Sequence, residues 1–185
     1  MNSRELLAQL VRFDTTSRES NLALIDFVRT YLQDHGVACE LVYNEHKSKA
    51  NLLATIGPAE VPGIVLSGHT DVVPVEGQRW SVAPFDLTEK DGKLYGRGTA
   101  DMKGYIACVL ACVPALVKAS LRMPVHIALS YDEEVGCLGV RSLIERFHEQ
   151  PVKPLLCVIG EPTELKPVLG HKGNLAMRCH VQGAA

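Results

Sequence analysis

The stretch Ile64–Val65–Leu66–Ser67–Gly68–His69–Thr70–Asp71, IVLSGHTD, decides the fold. Its apolar triplet reads as the middle of a buried strand. A histidine and an aspartate then follow two residues apart. Side chains at i and i+2 of a strand share one face, so His69 and Asp71 are expected to point the same way. A carboxylate that holds an imidazole fixes its tautomer and its orientation, the usual setting of a metal-ligating histidine. A helix cap or a satisfied surface pair would account for the same residues, and the stretch alone leaves both open.

Working outward, the chain has 185 residues, 46% of them apolar, with a net charge of −2. That is enough for one domain, or one and a fraction, with a sizeable core. No basic face or charge run points to nucleic acid. No apolar run approaches the roughly 18 residues of a membrane span. The N-terminus, MNSRELLAQLVRFD, is amphipathic and carries acids, unlike a signal peptide. The six cysteines (39, 108, 112, 137, 157 and 179) form no CxxC pair. They read as reduced core thiols of a cytoplasmic protein. Cys108 and Cys112 stand four apart on an expected helix, where they face either one ligand or the core; Ile106, Val109, Leu110 and Val113 around them favour the core.

Hydrophobic spacing predicts helices over 3–13, with Ser3 as cap, over 19–35, ended by Gly36, over 103–119, interrupted by Pro114, and over 138–149. Strands are expected over 37–43, 51–56, 63–69, 125–131 and 155–159. LTEKDGKLYGRG reads as a hairpin turning at Asp91–Gly92. Alternating helices and continuously apolar strands predict an α/β fold, a sheet with helices on both faces. The last stretch, GNLAMRCHVQG, alternates like a half-exposed antiparallel strand and then stops without a partner. Residues 1–173 are therefore expected to be one part of a domain, and 174–185 the start of another.

Ligands of open α/β sheets bind outside the carboxyl ends of the strands, and here those ends are acidic. IVLSGHTD ends at His69 and Asp71. VHIALSYDEE ends at Asp132, Glu133 and Glu134. LLCVIGEPTE ends at Glu161 and Glu164. YGRGTADMKG places Asp101 just before a helix. So many carboxylates in one crevice repel one another and resist desolvation, and a bound polycation removes that problem. One histidine among carboxylates suits zinc, cobalt or manganese. A solvated acidic rim is the alternative.

Four ordered motifs, SGHTDVVPV, GRGTADMKG, SYDEEVGCLG and IGEPT, resemble those of the co-catalytic zinc exopeptidases and deacylases, the family of carboxypeptidase G, aminoacylase and the desuccinylases. The resemblance covers nearly the whole chain. The wording HTDVVPVEGQRWSVAPF and GHKGNLAMR is most similar to its acetylornithine deacetylase branch. The resemblance implies a three-layer catalytic domain, two divalent metals (zinc, or cobalt) and an inserted lid domain that forms a homodimer. It implies metal ligation by His69, Asp101 (bridging), Glu134 and Glu161. It makes Asp71 the orienting carboxylate and Glu133 the general base, and it implies a cis peptide at Asp101–Met102. The activity implied is removal of an acyl group from a small N-acyl amino acid, with N-acetyl-ornithine favoured. Desuccinylase, dipeptidase and a non-catalytic metal-binding module are the alternatives. The family completes its second metal with a late histidine that nothing in this sequence matches, so the 185 residues alone are expected not to catalyse.

Other residues weigh less. Trp80 and Phe85 are expected to pack their loop rather than border a substrate. His171 and Lys172 read as linker, and His126 as a satisfied strand histidine. His35, His46, His148 and His180 belong to no constellation.

Overall fold

A computed structural model describes residues 1–170, 173 and 175–183. The elements run α1 (Ser3–Arg12), α2 (Leu22–Asp34), β1 (Cys39–Tyr43), β2 (Ala50–Ile56), β3 (Ile64–His69), β4 (Thr88–Lys90), β5 (Lys93–Tyr95), α3 (Lys103–Lys118), β6 (Val125–Ser130), α4 (Val140–Glu149) and β7 (Leu156–Ile159). The main sheet has the order β1-β2-β6-β3-β7. Strands β6, β3 and β7 are parallel neighbours, whereas β2 is antiparallel to both β1 and β6.

Period-two alternation divides the sheet between two cores. Leu52, Ala54 and Ile56 of β2 and Ile127 and Leu129 of β6 pack with α1, α2 and α3. Leu53, Val65 and Ala128, from the opposite face, pack with Leu143 and Phe147 of α4. The result is the three-layer arrangement expected from the apolar strands. Each fully buried leucine contributes about 1.5–3 kcal/mol by leaving water.

Local chemistry sets the ends of the elements. The cap of α1 is Asn2, not Ser3: its side chain accepts from the Glu5 amide at 2.9 Å, and the Glu5 carboxylate accepts from the Asn2 amide at 2.9 Å. That reciprocal pair satisfies two orphan donors. The β4–β5 hairpin turns at Asp91 and Gly92, both at positive φ (52° and 69°), as a type I′ turn requires.

Pro114 does not interrupt α3, which continues to Lys118. A proline removes the amide that would bond the carbonyl four residues earlier. Here that carbonyl belongs to Leu110, and the buried Tyr31 hydroxyl donates to it at 3.2 Å. The helix is tied to α2 at the point where proline would weaken it.

Three further expectations are corrected. All six cysteines are free, as expected, but five are exposed rather than core and Cys39 is half-buried. Cys108 and Cys112 share one face of α3 because they are four apart, and the buried face belongs to Ile106, Val109, Leu110 and Val113. Strand β7 is exposed along its length; it is a sheet edge and pairs only with β3 among the described residues. Residues 175–183, within the expected terminal strand, form no ladder. Asn174, where that strand was to begin, lies outside the described residues, as do His171 and Lys172. Among the described residues no helix is long and apolar enough to cross a membrane.

Replacing Tyr31 with Phe is expected to cost about 1–3 kcal/mol, because the Leu110 carbonyl is left buried without a donor. Urea unfolding of the two proteins checks this. An unchanged midpoint would show that the carbonyl finds another partner.

Candidate metal centre

The three parallel strands β6, β3 and β7 end at the same edge of the sheet, and each delivers part of the site. His69 is the last residue of β3 and pairs with Ser130, the last of β6. The Asp132–Glu134 turn follows β6. Glu161 follows β7 after Gly160, where a Cβ would lie 2.0 Å from the Tyr105 ring. Only glycine lets the chain pass that ring. Asp101 comes from the loop before α3, and its peptide bond to Met102 is cis. Nearby, Gly98 has φ +81° and would place a Cβ 2.9 Å from Val72.

These elements bring His69, Asp101 and Glu161 together, with one donor atom of each within 4.8 Å of the others. The His69 ring is 2% exposed. Its Nε2 lies 3.0 Å from Asp101 Oδ1 and 3.8 Å from both Glu133 Oε2 and Glu161 Oε1. Its Nδ1 lies 2.9 Å from the Asp71 carbonyl oxygen and 3.5 Å from Asp71 Oδ1. Both neighbours of Nδ1 are acceptors, so Nδ1 carries the proton of the neutral ring and leaves the Nε2 lone pair open to a metal ion, whereas the carboxylates around Nε2 favour a proton there as well.

Asp71 does more than orient the imidazole. Its Oδ1 accepts from the Glu133 amide at 3.0 Å, and its Oδ2 accepts from the Glu134 amide at 3.2 Å and from Ser17 Oγ at 2.7 Å. Burial opposes its charge, but these bonds and His69 hold the carboxyl below its ordinary range. Burial also disfavours a charged His69. The hydrogen bond to Asp71 and the carboxylates of Asp71, Glu161 and Asp101 outweigh it and raise its pKa to about 9. Glu134 is pushed up to about 7 by burial and by the nearby Asp101 charge, and burial raises Glu161 as well. Carboxylates that resist ionisation around one histidine are the mark of a site short of positive charge. The donor set, one imidazole and several carboxylates, fits a divalent metal such as zinc.

Of the four ligands expected from sequence, three converge. Glu134 is outside the close group and is coupled to it through charge. Glu133 stands beside His69 and also accepts from Cys137 Sγ at 3.4 Å. Trp80 packs under Arg97, whose guanidinium lies 5.0 Å from its ring centroid, so it stabilises its loop. His126 is buried, bonded to Thr55 Oγ1 at 2.9 Å.

Sequence reading missed three supporting residues. Ser17 touches Asp71 from 54 positions away, and no local pattern signals such a contact. Lys49 bridges the Ser17 carbonyl and Asp132. Lys103 is fully buried, donates to the Phe13 carbonyl at 2.7 Å and is lowered by burial to about 7. A lysine inside the apolar run DMKGYIACVL was a signal that could have been read.

The site stands beside clear likenesses. The sequence profile of peptidase family M20/M25/M40 matches residues 65–178. The acetylornithine deacetylase of Pasteurella multocida is 43% identical over 166 residues, 89% of this chain and 42% of that protein. The acetylornithine deacetylase of Proteus mirabilis is 38% identical over 183 residues, 97% of this chain and 46% of that protein. Human carnosine dipeptidase 1 superposes with a TM-score of 0.73 at 25% identity, over 85% of this chain and 38% of that one. A metallo-carboxypeptidase from Sulfolobus solfataricus shares the fold, with a TM-score of 0.75 at 22% identity, over 86% of this chain and 37% of that one. The chain belongs to peptidase family M20/M25/M40, a metal-dependent family of hydrolases. It spans a little under half the length of these curated relatives.

A histidine with a pKa of about 9 is protonated at neutral pH and must lose that proton to ligate. Zinc loading at pH 7 is therefore expected to release about one proton or more per chain, and fewer above pH 9. Calorimetry in buffers of different ionisation enthalpy measures this. Binding without proton release would contradict a His69 that is protonated at pH 7 and ligates the metal.

Proposed function

We propose that this chain carries the main ligand set and the base of a di-metal amide hydrolase that removes the acetyl group from N-acetyl-ornithine, yielding ornithine and acetate. The carrying observation is the convergence of His69, Asp101 and Glu161 beside Glu133, at the shared edge of three parallel strands. The likeness to two acetylornithine deacetylases supports the choice of substrate.

In this reading His69, Asp101 and Glu161 would hold one zinc, and Asp101 and Glu134 would contribute to holding a second. Such a pair supplies Lewis acidity for the amide carbonyl and acidifies a water molecule. Glu133 takes the proton of the attacking water. The oxygen bonds to the acyl carbon, the carbon–nitrogen bond breaks, and Glu133 returns the proton to the leaving amine. Asp71 holds both the imidazole and the Glu133–Glu134 backbone in place. For a second zinc the described residues would offer only the carboxylates of Asp101 and Glu134. Our reading is that its histidine and a lid that pairs two chains come from sequence beyond residues 1–173, with 174–185 as the lid's beginning. The 185 residues alone are then inactive. Free cysteines throughout fit a cytoplasmic location.

The test uses the protein in the longest form its reading frame encodes. Ornithine release from N-acetyl-ornithine is compared with cleavage of N-succinyl-diaminopimelate and of dipeptides. Preference for N-acetyl-ornithine supports the proposal, and preference for either alternative replaces the substrate within the same chemistry. Glu133→Ala is expected to lower turnover by about 10²–10⁴-fold or more while metal content stays unchanged. Loss of metal would make Glu133 a ligand, and near-normal turnover would remove it from the mechanism.

A further inference from the structure

Asp71 is the junction of the centre, and it does not stand alone. Its side chain is 3% exposed, so each of its lone pairs needs a protein donor. Oδ1 takes the Glu133 amide and faces the His69 ring. Oδ2 takes the Glu134 amide and the Ser17 hydroxyl. The amides belong to the turn that Asp71 holds, and the imidazole is the group that it orients. Ser17 is the remaining donor, and it comes from a separate part of the chain.

That part is itself fixed. The Ser17 amide donates to the Val72 carbonyl at 3.2 Å, and the Val72 amide donates to the Thr15 carbonyl at 3.1 Å. Thr16 and Val72 form a parallel bridge. Thr15 Oγ1 donates to the Thr70 carbonyl at 2.6 Å. Lys49 holds the Ser17 carbonyl and the Asp132 carboxylate together. The hydroxyl is thus carried on backbone bonded directly to the segment that follows β3, at the shortest of the hydrogen bonds to Asp71.

We propose that Ser17 is a positioning residue of the metal centre, acting through Asp71. The inference rests on the metal reading of the site and deepens it. Without the hydroxyl, Oδ2 keeps only the Glu134 amide, its longer bond, and the carboxylate is held less firmly about its last torsion. The common support of His69 and the Glu133–Glu134 turn is then loosened. Partners one step removed from a metal ligand, as Asp71 is, typically change affinity by about 10–100-fold, and Ser17, one step further out, is expected to reach the lower end of that range, about 10-fold.

The experiment is a Co(II) titration of this chain, followed by the visible d–d absorption that reports ligand geometry. Ser17→Ala is expected to weaken binding by about 10-fold, the lower end of the range for groups next to a ligand, and to alter the band. Ser17→Thr keeps the hydroxyl and should restore both. Ser17→Val has the shape of Thr without the hydroxyl and should behave like Ser17→Ala, so the Thr–Val pair decides the matter if Ser17→Ala does not fold. In an Asp71→Asn background, Ser17→Ala should add little. Tight wild-type binding that Ser17→Ala and Ser17→Val leave unchanged overturns this inference alone, as does a Thr variant as weak as Val. A full additional loss on top of Asp71→Asn shows that Ser17 does not act through Asp71. A wild-type chain that binds no Co(II) overturns the metal reading, and this inference with it.

Discussion

The buried carboxylate of Asp71 is the interaction on which the rest of the site depends. A charge this far from water is tolerated only when fully hydrogen-bonded. Asp71 meets that requirement with two backbone amides, a hydroxyl and a histidine. Each bond satisfies the aspartate and also places its donor. The end of β3, the turn after β6 and the N-terminal segment around Ser17 are thereby locked to one another. His69 and Glu133, whose Nε2 and Oε2 lie 3.8 Å apart, share Asp71 as support.

The topology explains why the acids meet. In the order β6-β3-β7 all three strands run the same way, so their carboxyl ends share one edge. An antiparallel strand between them would have sent one cluster to the far side of the sheet. Strand β2 is antiparallel, but it lies beyond β6 and contributes no ligand. Asp101 is the one member that does not come from the end of a parallel strand; it is supplied by the loop before α3. The crevice collects negative charge that the described residues do not neutralise. Lys49 pairs with Asp132, and Lys103 is buried beneath the site, bonded to the Phe13 carbonyl.

Much of this was legible because local patterns carry it. The apolar runs locate β2, β3 and β6, and Asp91–Gly92 marks the hairpin. The acids at the strand ends mark the site. Other features follow from contacts distant in sequence. Pro114 is harmless only because Tyr31 reaches Leu110. Cys108 and Cys112 look like core in an apolar helix until its buried face is known. Strand β7 is as apolar as β6 but lies at the edge, and composition does not distinguish an edge strand from a central one. Ser17 and Asp71 are 54 positions apart, and only the fold brings them together. The proposed ligand roles rest on the family motifs rather than on spacing, since adjacent residues such as Glu133 and Glu134 would face opposite ways in a strand.

The central claim is that His69, Asp101 and Glu161 hold a metal ion. Crystals of this chain grown with zinc, measured on both sides of the zinc absorption edge, test it most directly. An anomalous peak is expected about 2.0–2.2 Å from His69 Nε2 and from a carboxylate oxygen of Asp101 and of Glu161. A crevice without a peak at full zinc loading, or zinc bound elsewhere with the His69–Asp101 contact intact, would contradict it.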